Sequence, residues 1–309
     1  MLVLSQSEVA AVLDMGRLID AVEAAMIDLS AGRASVPPRV GAVVAERSAI
    51  LAAMPAYLPS SAALTTKLVS VFPENRDRPT HQAVICCFDP HTGTPTAVMD
   101  GTLITAMRTA AGSALATRLL ARRGTTTVAI VGTGVQAGTH VQALRSIGMD
   151  DFIVAGRDAD NVEAFADTHS IGAAPSVEAA VSGADVVCVT THADAPVVAR
   201  DWIRAGTHIN SVGYNTQGTG ELDAATIRDA FVVVESRAAA FAQPPSGAVE
   251  LRGVIEPEAA AEIGEHPARS DDEQITVYKS VGVAVQDAAA ATLVLAECRA
   301  RGVGTEVPV

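Results

Sequence analysis

Aromatic residues are scarce in these 309 amino acids: Phe, Trp and Tyr together make up 3% of the chain, with a single Trp. A core without rings must be filled by Ala, Val, Leu and Ile, and hydrophobic residues supply 49% of the sequence, a composition that suits alternating strands and helices. Cysteine is scarce too. Cys86, Cys87, Cys188 and Cys298 show no C-x-x-C spacing and the His residues are scattered, which argues against a zinc site or a disulfide frame and points to reducing cytoplasm. Basic residues are outnumbered, 22 Lys and Arg against 35 Asp and Glu, giving a formal net charge of −13. Such a field disfavours nucleic acid and anionic membranes as partners, so an anionic substrate must meet locally placed Arg or Lys. Long apolar runs are missing, and the N-terminal MLVLSQSEVAAVLDMGRL has no basic leader ahead of one, so neither a membrane span nor a processed leader is expected.

What is present is length enough for two domains and a clear change of pattern along the chain. Residues 5–31 read as a helical pair, with Ser5 or Ser7 as the first N-cap and Gly32 as a stop. From Pro38 to Asp100 short β-rich runs follow, RVGAVVAE, AILAAMPAYL, ALTTKLVSVF, HQAVICCFD and TAVMD, separated by PENRDRPT and DPHTG, which predicts a mostly antiparallel sheet. GTLITAMRTAAGSALATRLLARRG predicts one long helix ended by Gly124. Beyond Thr126, strand and helix alternate as in a parallel sheet with right-handed crossovers, and a last helix over roughly 282–301 is expected to pack on the N-terminal part.

Within that alternation, VAIVGTGVQAGTHVQAL fits G-x-G-x-x-A at Gly132, Gly134 and Ala137, between an apolar strand and a helix. Gly132 would make the tight turn, Gly134 would let backbone approach a pyrophosphate at the helix N-terminus, and Ala137 would keep helix and strand close. Val135 and Gln136 belong to the same loop. In the next strand, DFIVAGRDADN, the place where an NAD enzyme sets an acid against the ribose is occupied by Gly156 and Arg157. A small residue followed by Arg suits a 2′-phosphate and favours NADP(H). Asp158, one residue on, restores an acid if the register shifts, and NAD(H) stays open.

Several segments together resemble one family, the ornithine cyclodeaminase and mu-crystallin family: VPPRV (36–40), MPAYL (54–58), TTKLVSVFPEN (65–75), DPHTGTPTAVMDGTLITAMRTAAGSALA (89–116), VGTGVQA, SVGYNTQGTGELD (211–223) and ITVYKSVGVAVQDAAAA (275–291). The resemblance implies an α/β fold, with a Rossmann NAD(P)-binding domain over 114–280 set into an α+β substrate-binding and dimerisation domain over 1–113 and 281–309. It also implies a homodimer and hydride transfer between a nicotinamide and the α-carbon of a small amino or imino acid. By the same match, Arg39 and Arg108 hold the substrate carboxylate. Guanidinium forks do this bidentately and so aim the α-carbon. Lys67 matches the active-site lysine, an ammonium that apolar neighbours would make a ready proton donor. Thr109, Thr190, Val212 and Ser280 are implied along the dinucleotide. His81 and His91, in turn-like sequence, are expected at the surface, and Met54, Tyr57 and Val69 are expected to line the substrate pocket.

The pattern departs from ornithine cyclodeaminases at two carboxylates. Asn215 stands where they carry Asp, and Ala52 where they carry Glu. An amide cannot accept a proton as a carboxylate does, and a cationic δ-amino group loses its partners. Reduction of a cyclic ketimine or 2-imino acid needs neither carboxylate, and Asn215 could hydrogen-bond the substrate nitrogen. Ornithine cyclodeaminase, alanine dehydrogenase and a non-catalytic NADP(H)-binding protein of mu-crystallin type are the alternatives.

Overall fold

The computed structural model describes residues 1–213, 220–243 and 246–308. The chain divides into two compact units, Met1–Arg108 with Gly282–Val309, and Thr109–Val281. The first division falls at Arg108, inside a helix.

In the first unit, β1 (Leu2–Leu4), α1 (Gln6–Val12) and α2 (Met15–Ser30) precede the strands β2 (Val40–Val44), β3 (Ala49–Leu58), β4 (Ala63–Val71), β5 (His81–Phe88) and β6 (Pro95–Asp100). Helix α3 (Thr102–Leu120) follows, and the chain ends as α9 (Ala284–Arg301) and β15 (Thr305–Glu306). The sheet order is β15-β1-β6-β5-β4-β3-β2, antiparallel except where β1 runs parallel to β6. Strands β3 to β5 alternate as their sequences do, with Ala63, Thr65, Lys67 and Val69 of β4 turned inward. Helices α2 and α9 pack together, and α9 lies against β3, β4 and β5. Asp14 caps α2, its carboxylate accepting from the Arg17 amide at 2.9 Å, and Leu18, Ile19, Val22, Ala25 and Met26 form the buried stripe. Ala288 to Ala291 are all buried, small enough to bring α9 close to the sheet.

Helix α3 stops at Leu120, short of Gly124. The Asp185 carboxylate accounts for this: it pairs with Arg122 and accepts from the Thr126 and Thr127 amides at 3.1 and 3.3 Å, drawing the chain out of the helix.

The second unit contains β7 (Thr127–Val131), α4 (Val135–Ser146), β8 (Asp151–Ala155), α5 (Ala159–His169), β9 (Gly172–Ala173), α6 (Val177–Gly183), β10 (Val186–Val189), β11 (His208–Ser211), α7 (Ala224–Asp229), β12 (Phe231–Val234), α8 (Arg237–Ala240), β13 (Ala261–Glu262) and β14 (Thr276–Lys279). All pair in parallel, in the order β13-β12-β14-β11-β10-β7-β8-β9. The order reverses between β7 and β10, the Rossmann switch point, outside whose carboxyl end ligands bind in open α/β sheets. Strands such as VVCV are buried throughout, as parallel strands covered on both faces must be.

Candidate active site

Lys67 lies on the inward face of β4, across from Met54 of β3 and Ile85 of β5, and is 2% exposed. Its Nζ is 2.7 Å from Oδ2 of Asp287. Asp287 sits in the first turn of α9, where the helix dipole favours a carboxylate. Its Oδ1 accepts from Arg108 Nε at 3.0 Å, and Arg108 Nη1 donates to Gln286 Oε1, also at 3.0 Å. Arg39 Nη2 donates to the Gly282 carbonyl at 2.9 Å. Gly282 has φ +72° and lies so near the Arg108 guanidinium that a Cβ would approach Nη1 to 2.8 Å, so no side chain fits there.

This cluster holds three cations, Arg39, Lys67 and Arg108, around one carboxylate. Burial pushes the Lys67 ammonium down to about 8, with Asp287 restoring part of the loss and Arg108 and Arg39 adding to it. Burial alone would raise Asp287, but Lys67 and Arg108 overcome it and hold the carboxyl below its ordinary range. Donors remain over: Lys67 touches no acceptor but Asp287, and Arg108 Nη2 makes no hydrogen bond, among the described residues. Gln286 Nε2 is buried without a partner among the described residues. Spare buried donors beside surplus positive charge suit a carboxylate ligand.

Other expected residues fall on either side of this geometry. Met54 and Val69 are buried on the Lys67 face, whereas Tyr57, three residues beyond Met54 on a strand of period two, points to the opposite face and is 37% exposed. Ala52 is buried, an apolar wall where a carboxylate would otherwise stand. Asn215 lies outside the described residues. His91 is exposed in a turn closed by the Asp89 carboxylate, as expected. His81 differs from expectation: it opens β5, is half-buried, and is held down to about 4 by burial and by Lys67 and Arg108.

In the second unit, Gly132 follows β7 with φ +113°, and a Cβ there would come within 2.9 Å of Thr190 Oγ1. Thr190 in turn donates to the Val131 carbonyl at 3.0 Å. Gly134 is the N-cap of α4 and supplies no side-chain bond, and a Cβ on it would meet nothing within 4 Å. Val135 is exposed, Gln136 carries a buried Oε1 without a hydrogen bond among the described residues, and Ala137 is fully buried. An uncapped helix N-terminus opening on free space fits a pyrophosphate. Past β8, Arg157 is exposed and makes no ion pair or hydrogen bond among the described residues. Asp158 caps α5, accepting from the Asn161 amide at 2.9 Å. Thr109 is buried on α3, and Thr190, Val212 and Ser280 follow β10, β11 and β14 at the same sheet edge as Gly132. Ser280 Oγ donates to Glu235 at 2.6 Å. No group of His, Cys, Asp or Glu among the described residues could hold a metal ion.

A model of the ornithine cyclodeaminase/mu-crystallin family matches residues 1–302. The chain belongs to that family. Ketimine reductase mu-crystallin of Mus musculus is 40% identical over 290 residues, covering 90% of each chain. Among solved structures, Thermococcus litoralis Delta(1)-pyrroline-2-carboxylate reductase in complex with NADH and L-proline is 37% identical, with a TM-score of 0.94 over 99% of this chain and 100% of that one. An archaeal alanine dehydrogenase dimer with bound NAD is 32% identical, with a TM-score of 0.91 over 100% and 99% of the two chains.

Within this family frame, sequence reasoning passed over Asp287 and Gln286, and it set His81 at the surface. For Asp287 a signal existed: it is the one acid in the first half of an otherwise small and apolar helix, AVQDAAAAT. His81 was set at the surface because the residues before it, PENRDRPT, read as loop, whereas it opens β5 and is half-buried.

Proposed function

We propose that the protein is an NAD(P)H-dependent reductase of a cyclic ketimine or 2-imino acid, returning the amino acid at the α-carbon. The observation that carries this reading is the buried Lys67–Asp287–Arg108 cluster with donors to spare. Arg108 and Arg39 would hold the substrate carboxylate, and Lys67 would supply the proton that the imine nitrogen needs as C=N becomes CH–NH. The reduced nicotinamide, when bound, supplies the hydride. Gly132, Gly134, Val135 and Gln136 would hold the pyrophosphate, with Thr109, Thr190, Val212 and Ser280 further along the dinucleotide and Asn215 at the substrate nitrogen. Asp287 neutralises one cation and orients two, leaving positive charge for one substrate carboxylate. The names of the relatives, a ketimine reductase and a pyrroline-2-carboxylate reductase, support this substrate class.

NADP(H) is favoured over NAD(H). Arg157 is uncommitted and can meet a 2′-phosphate, while Asp158 is occupied as a helix cap. A homodimer in the cytoplasm completes the reading: no described helix is long and apolar enough to cross a membrane, and one relative is a dimer. Ornithine cyclodeamination is disfavoured by the buried, apolar Ala52.

The test follows cofactor absorbance with NADPH and with NADH against 1-pyrroline-2-carboxylate, 1-piperideine-2-carboxylate, and pyruvate with ammonium. Oxidation of NADPH by a cyclic imine is expected, with Arg157→Ser raising the KM for NADPH about tenfold and leaving that for NADH nearly unchanged. Turnover with pyruvate and ammonium alone would make it an alanine dehydrogenase, and tight cofactor binding without any turnover would make it a binding protein.

A further inference from the structure

Glu221 belongs to neither cluster above, yet it is 2% exposed and carries more hydrogen bonds than a structural ion pair needs. Its Oε1 accepts from the Thr191 amide and from Thr191 Oγ1, both at 2.7 Å. Its Oε2 accepts from the Gly213 amide at 2.7 Å and from Ser211 Oγ at 2.9 Å. Lys279, 1% exposed, stands 4.0 Å from the same Oε2, pairs with Glu250 at 2.8 Å and donates to the Gly213 carbonyl at 2.7 Å. A side chain at Gly213 would collide with the Glu221 carboxylate.

One carboxylate therefore ties the segment after β10 to the end of β11, and Lys279 brings in the end of β14. Thr191, Ser211 with Gly213, and Lys279 are the chain neighbours of Thr190, Val212 and Ser280. All lie at the carboxyl edge of the sheet, beside the turn at Gly132, where a parallel sheet of this topology receives its ligand. We propose that Glu221 is a positioning residue for the dinucleotide, fixing the strand ends from which Thr190, Val212 and Ser280 reach it. This rests on the reading of the second unit as an NAD(P) site.

The charges make the test a clean one. Glu221 and Glu250 surround a single lysine, so the cluster carries a surplus buried negative charge, and burial raises the Glu221 carboxyl above its ordinary value in spite of Lys279 and the four donors. Glu221→Gln removes the surplus at nearly constant shape, so the fold should stand. Its amide nitrogen cannot accept, however, and must face either the Thr191 or the Gly213 N–H and push it away.

The experiment titrates NADPH and NADH by fluorescence against the wild type, Glu221→Gln and Thr191→Val, with thermal melting and steady-state kinetics on the best imine. Glu221→Gln should weaken cofactor binding about tenfold or more and raise the cofactor KM alike, with the imine KM and the melting temperature near wild type. Thr191→Val, which removes one of the four bonds and no charge, should weaken it about threefold. Unchanged cofactor affinity in Glu221→Gln, or a loss that only follows a lowered melting temperature, would overturn the proposal. If Glu221→Gln does not fold, unchanged affinity in Thr191→Val overturns it instead. A wild type that binds neither nucleotide would refute the functional reading itself, and this proposal with it.

Discussion

An ammonium buried as deeply as that of Lys67 is held in place by its carboxylate, and if Lys67 is the proton donor proposed above, the pair sets the pH behaviour of the reaction. Because burial brings Lys67 down to about 8, imine reduction, which needs the protonated form, should decline as pH rises through that value. Amine oxidation, which needs the neutral form, should climb over the same range. Asp287→Asn takes away the charge that supports the ammonium, so the limb should move to lower pH, as kcat/KM profiles of the two proteins would record. A limb that stays where it was would remove Asp287 from this role. Lys67, Arg39 and Arg108 were legible because each stands in a distinctive motif. Asp287 was not, because its importance lies in two partners far away in the chain, on β4 and α3.

Elements tell a similar story. Every strand from β2 to β6 was visible in the sequence as an apolar run between turn signals, while β1 and β15, at three and two residues, were too short to show a period and exist through pairing along β6 and with each other. Strand β2 is a different case. It closes one edge of the sheet with VGAVV exposed along its whole length, Val40 at 66% and Val43 at 70%. An apolar edge with no charge to guard it invites another strand or sheet. If a second copy of the chain covers this edge in the proposed homodimer, Val43→Lys should yield a smaller species in sedimentation velocity with the fold intact. A wild type that sediments as a monomer would rule the dimer out.

At the scale of the whole molecule, three histidines bear on stability. His81 and His140 are held down to about 4 and His208 to about 3, burial being the first cause in each. His140 bonds Ser113 at 2.9 Å and His208 bonds Thr276 at 2.8 Å, both as neutral rings. Below their ordinary value of 6.5 the unfolded chain takes up protons that the folded chain refuses, so stability should fall steadily from about pH 6.5 towards pH 4. Urea unfolding at pH 7, 6 and 5 measures this, and His208→Gln should flatten the slope; a flat wild-type curve would show that these rings titrate as freely folded as unfolded. The parallel sheet was plain in the alternation of the sequence, but the place of β14 between β11 and β12 was not, since strand order is decided by packing. The chain departs from the first unit after Arg108 and returns to it at Gly282, and these two residues are packed against each other. An inserted unit with such neighbouring ends is portable, a cassette that could be exchanged between relatives. Here, however, both seams run through the residues that would hold the substrate, so a chimera must be cut inside Thr109–Val281, leaving Arg108 and Gly282 with the host.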